Sequence, residues 1–140
     1  MSTNEFFRDF EYSGDAGIEV DAPSRADLLA CAAIGMARIM GAPDGIAPRE
    51  HRTLQVRGGS DEDQIQEALA GALSMFQSDG FIWRDASAEE QPNGIALRLS
   101  GEPFDHHRHH LITKLRSVAH PTLDAPRDDE GWKARVVFAV

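Results

Sequence analysis

The residues best suited to chemistry gather in one short run, DHHRHH, where His106, His107, His109 and His110 follow Asp105 within five positions. Imidazoles at such spacing bind zinc, nickel or copper, but a natural site needs several converging ligands and partners that fix each ring. Adjacent rings on one loop do not provide this. The run therefore reads as a solvated histidine loop and not as a specific transition-metal centre. A second candidate is Asp15 in SGDAGIEV, whose small neighbours Gly14, Ala16 and Gly17 would let another backbone or molecule come close. Taken on its residues alone, Asp15 is a turn aspartate between two strands. His51 and His120 have no companions that would make them catalytic. The chain offers no Gly-rich phosphate loop, no Cys-x-x-Cys pair and no nucleophile with a base and an orienting acid.

Two helices and several strands must position these groups. Ser24 is a good N-cap, and Leu28, Ala32, Gly35 and Ile39 recur behind it at helical spacing beside Leu29, Ala33, Met36 and Met40. The helix should stop near Gly41 and Pro43. A second helix opens at Ser60, with Asp61, Glu62 and Asp63 favouring its dipole and Ile65, Leu69, Ala72, Leu73 and Phe76 on one face, and Gly80 ends it. Alternation in RTLQVRG and GIALRLS predicts half-buried strands, the latter entered through a tight turn at Asn93-Gly94. The stretch Leu111 to Leu123 and the ending WKARVVFAV read as an antiparallel pair joined across APRDDEG. Trp83 and Trp132 are expected to pack on the sheet or its edge. The fold class is therefore α+β, two-layered, with an antiparallel or mixed β-sheet and two main helices on one face. Residues 1–140 form a single domain.

Charge limits the partners. The 140 residues carry 23 acidic and 14 Lys or Arg side chains, for a net charge of −9. Such a surface repels polyanions, so direct nucleic-acid binding by the whole domain is not expected. A basic protein or a cation suits it better. No apolar run reaches membrane-spanning length, and the start MSTNEFFRDF lacks the layout of a secretion signal. The lone Cys31 lies in LLACAAIGM and reads as a small buried hydrophobe in a reducing, cytoplasmic setting.

Five stretches, in order, resemble the archease family. FEYSGDAGIEV matches its opening, where an aspartate and glycine follow an aromatic, a hydroxyl and a small residue; the first helix follows with the family's spacing. FQSDGFIW resembles its post-helix turn, GEPFDHHRHHLITKLRSVAH its loop and strand, and GWKARVVFAV its closing strand. The resemblance implies the archease fold and a non-catalytic protein cofactor that activates an RtcB-type RNA ligase, promoting its guanylylation and turnover in tRNA splicing or RNA repair. A ligase cleft that holds RNA must be basic, and an acidic partner would approach it with favourable steering.

The resemblance further implies a divalent cation, Ca or Mg, held by Asp15, by an aspartate next to the chain end and by the terminal carboxylate, supplied by Val140 if the natural chain stops there. Ala139 stands where the family has that aspartate, so the site is expected to be weak or altered. Hard cations accept carbonyls and waters among about six to eight oxygens, and Glu11 or Asp21 could compensate. Asp105 and His109 fall on the family's loop positions, and Arg116 replaces its strand lysine while keeping the positive charge; these are the expected partner-binding or functional residues, His109 by positioning the loop or contacting the ligase, and Arg116 unless it only balances charge on an exposed strand. Lys114 stands at a position often acidic in the family. Two other functions stay open: a diverged archease-like chaperone or metal-responsive binding domain, and, last, a small metal-dependent hydrolase using Asp15 and histidines.

Overall fold

A computed structural model of the chain describes residues 7–12, 15–41, 43–119, 121–127 and 131–140. The first two strands, β1 (Phe7–Tyr12) and β2 (Asp15–Ala22), pair antiparallel, with Tyr12 opposite Asp15. Helix α1 (Arg25–Met40) begins at the expected cap, where the Ser24 side chain accepts the Asp27 N–H, and ends at Gly41. A single 3-10 turn, Pro43–Gly45, leads towards strand β3 (Glu50–Arg57). Helix α2 (Asp61–Asp79) carries a reciprocal cap in which Ser60 and Asp63 each bond the other's backbone N–H, and Gly80 closes it at φ 71.

Strands β4 (Phe81–Gln91) and β5 (Gly94–Pro103) form a long hairpin. Its turn is centred on Pro92-Asn93, one residue before the expected pair, because Gly94 already faces Gln91 in the ladder. The stretch expected as one strand from Leu111 divides. Leu111 makes an isolated bridge to Gly41, residues 112–116 belong to no strand, and pairing resumes in β6 (Ser117–Val118) and β7 (Thr122–Arg127). Both pieces run along one edge of β8 (Gly131–Ala139), with the register shifted by one residue across the interruption that holds Pro121, which has no N–H to give to a ladder.

The strands divide into two antiparallel sheets. One has the order β1-β2-β8-β6, with β7 also on β8; the other has the order β3-β5-β4. The α+β expectation holds, and the second sheet follows from α1. That helix has apolar or small residues almost all round and buries 13 of its 16 residues, so one layer cannot cover it. It packs against β4 of the smaller sheet and against β2 and β8 of the larger. Trp83 of β4 is fully buried, and its indole N–H donates to the Ala33 carbonyl at 2.9 Å. Trp132 is half-buried against the same core. Helix α2 shows the commoner pattern, burying one stripe of Ile65, Ala68, Leu69, Ala72 and Leu73. Arg25 ties the layers together through Asp61 and Gln64 of α2 (2.7 Å each), Glu90 of β4 and the Gly94 carbonyl.

Candidate functional site

Two groups of residues emerge where the sequence points to chemistry. The first lies at one end of the five-stranded sheet. Ala16 of β2 is opposite Phe138 of β8, so Asp15 lies one residue before that pair and Val140 two residues beyond it. Antiparallel pairing thus brings Asp15 to the same end of the sheet as Ala139 and Val140. On the far side of β8, the Arg116 N–H donates to the Ala139 carbonyl at 2.8 Å and Ser117 stands opposite Ala139. Gln77 of α2 reaches the Leu115 and Arg116 carbonyls and fixes this stretch from outside. Asp15, Val140 and Arg116 are therefore neighbours through the backbone ladder.

The two aspartate substitutes suggested by sequence separate here. Glu11 faces Ala16 across the β1-β2 pair, beside Asp15. Asp21 lies opposite Lys133 at the other end of β2, six residues or roughly 20 Å along the strand, too far to share a cation with Asp15. Among the described residues no group of three or more His, Cys, Asp or Glu side chains is gathered as a metal site.

The second group is the histidine loop, and one of its members departs from the solvated reading. His106, His107 and His110 are exposed, but His109 is only 3% exposed. The Asp105 N–H donates to Nδ1 of His109 at 2.9 Å, which leaves Nε2 to carry the proton and donate to Oε2 of Glu102 at 2.9 Å. Glu102, at 1% exposure, also accepts the Ala47 N–H and an Arg108 N–H, both at 2.7 Å, and Arg49 stands 3.8 Å away. Hydrogen bonds from Arg108, then from Ala47 and His109, outweigh burial and bring the Glu102 carboxyl down to about 2.

Asp105 closes the turn. Its carboxylate accepts the His107 N–H at 2.9 Å, and its carbonyl accepts the His109 N–H at 2.7 Å. Phe104 meets Phe76 of α2 edge to face, 6.1 Å between centroids, and its N–H donates to the Gly80 carbonyl. The loop backbone then crosses two glycines: a Cβ on Gly45 would lie 2.5 Å from the Arg108 carbonyl oxygen, and one on Gly41 would lie 2.8 Å from that of His110. Only glycine admits this approach. Both Nδ1 and Nε2 of His109 are thus occupied in holding the loop. Fully bonded and strongly acidic, Glu102 is a poor proton acceptor near neutral pH.

Glu102 is the residue that sequence reasoning passed over. It lies inside the quoted stretch GEPFD, but the period of β5 sends Ile95, Leu97 and Leu99 inward and assigns Glu102 to the opposite face. That face is covered at Glu102 by Ala47, Arg108 and His109. The available signal was an acidic residue directly before the loop, with Arg108 and His109 six and seven positions on.

Comparison with known proteins adds a third observation. The Archease protein family (MTH1598/TM1083) matches residues 7–140. A protein archease of Methanopyrus kandleri is 26% identical over 135 residues, covering 94% of this chain and 96% of its own. That of Methanosarcina barkeri is 21% identical, covering 93% and 92%. The solution structure of Methanobacterium thermoautotrophicum protein 1598 shares the fold with a TM-score of 0.76 at 17% identity, over 97% of this chain and 99% of that one.

Proposed function

The chain belongs to the archease family, and from that premise we propose that it activates an RtcB-type RNA ligase as a non-catalytic protein cofactor, promoting guanylylation and turnover in tRNA splicing or RNA repair. The observation that carries this reading is the match of the family over residues 7–140. The β2-β8 register supports it by bringing together Asp15, Val140 and Arg116, which the resemblance marks. A net charge of −9 favours approach to the basic cleft of an enzyme that holds RNA.

The donors at this edge fit a weakly held hard cation, Ca or Mg. Asp15 would hold it with the terminal carboxylate of Val140, if the natural chain stops there, while Ala139 brings no side-chain oxygen. Carbonyls and water would complete the coordination. When bound, the cation would supply positive charge that organises carboxylates at the contact with the ligase. Arg116 would orient the same edge through its bond to the Ala139 carbonyl. Asp105 and His109 would act through the shape of their loop.

The test is a guanylylation assay with the purified ligase from the same source. The intact chain should increase guanylylated ligase and multiple-turnover ligation, and Asp15→Ala should lower the stimulation at least tenfold and remove the heat of calcium binding. Absence of both stimulation and binding by the intact chain would favour a diverged binding domain.

A further inference from the structure

The stretch that leaves the histidine loop has a character found nowhere else in the chain. Positions 106–123 contain no aspartate or glutamate, although the whole sequence has 23. They carry Arg108, Lys114 and Arg116 and five of the six histidines, a formal +3 with neutral imidazoles, which leaves −12 on the remainder. Within this stretch lie the two most exposed of the large hydrophobic residues described, Ile112 at 69% and Leu111 at 44%.

Its backbone is held in place. The Ile112 N–H donates to the Met40 carbonyl at 2.7 Å, Leu111 bridges to Gly41, and Gln77 grips residues 115 and 116. From Ile112 onwards exposure alternates: Ile112, Lys114 and Arg116 are exposed, Thr113 is half-buried and Leu115 is buried. Such alternation is that of an extended segment with one face on the core and one on solvent. Its outer face presents Ile112 with His110 two residues before and the Lys114 ammonium two residues on, an apolar centre with a polar, partly cationic rim.

We propose that this face, centred on Ile112 and Lys114 and meeting the edge at Asp15 and Val140 only at Arg116, is a docking surface for an acidic protein segment carrying apolar side chains. Charge complementarity selects an acidic occupant over a basic one. The exposed aliphatics select protein over RNA, because single-stranded nucleic acid is held by aromatic stacking as well as by cations, and Leu and Ile offer no stacking face. A symmetric contact with a second copy would set one carboxylate-free, cationic strip against another.

The test uses the full chain and a fluorescein-labelled peptide alternating Asp or Glu with Leu and Phe, read by anisotropy at low and high salt. Comparison probes replace its acids with Lys, replace its apolar residues with Ser, or are a single-stranded RNA of equal charge. The acidic-apolar peptide should bind most tightly and weaken with salt. Ile112→Ser and Lys114→Glu should each weaken it about tenfold, whereas Arg98→Glu, the same charge reversal at an exposed position of β5, should leave it unchanged. Circular dichroism melts of each variant would verify that the fold is retained. No binding, equal loss with Arg98→Glu, or indifference to Ile112→Ser would overturn the proposal. So would tighter binding of the RNA, or self-association in sedimentation that Ile112→Ser abolishes.

Discussion

The histidine loop and the edge at Asp15 and Val140 both hold groups of a kind that binds cations, yet the protein treats them in opposite ways. In the loop, Glu102 and His109 are buried and their bonding capacity is spent on Ala47, Arg108, Asp105 and each other. At the sheet edge, strand pairing fixes where Asp15 and Val140 stand, and the neighbouring Ala139 has no polar side chain at all. A dense cluster of ligand-type residues is thus an architectural device, while a sparse pair joined by a ladder carries the proposed binding role. Polar groups sealed from water are used where they lower the energy of a loop.

The largest effect that could break this contrast is expected from Glu102. Replacing it with Ala strands the Ala47 N–H, Arg108 and His109 together, and should cost about 3–5 kcal/mol in urea unfolding at pH 7. The pH dependence has a defined sign. The folded carboxyl at about 2 lies below its ordinary 4.5, so its stabilisation is whole above about pH 4.5 and is lost as pH falls towards 2. The stability gap between the wild type and Glu102→Gln should narrow across that window.

His109→Ala comes next, with a loss of about 2 kcal/mol from two broken bonds in a buried setting. Calorimetry should show its calcium heat unchanged, since the ring serves the loop; a lost calcium signal would erase the division between the two regions. Ala139→Asp should sharpen the division from the other side. It adds a carboxylate at the end of β8 that lies beside Asp15 and should tighten calcium about tenfold in titration calorimetry. The smallest change is in the stability of Asp15→Ala without metal, within about 0.5 kcal/mol of wild type by thermal melt.

Local signals made most of the fold legible. Ser24 and Ser60 announced both helices because a cap is a short-range bond, and Leu54, Val56 and Leu97 showed their strands through period-two burial. The division into two sheets was harder to read, since it depends on α1 being apolar on every side, a property shared by helices buried in many ways. At the candidate site, Asp15 and Val140 were legible through resemblance, and their proximity follows from a register that no local pattern specifies. The role of His109 was illegible because its partner Glu102 lies on a face that periodicity assigns to solvent. Closure by Gly41 and Gly45 over a distant loop reverses that assignment.

The position of β8 has a consequence for how the protein is made. Strand β8, Gly131–Ala139, is synthesised after every other described strand, yet it is the middle of the larger sheet, bonded to β2 on one side and to β6 and β7 on the other. Until it arrives, β2 has no partner on its inner edge and one side of the oily helix α1 is uncovered. The nascent chain therefore completes its hydrophobic interior only once β8 has emerged, and disrupting that one strand would unseat β2, β6 and β7 together.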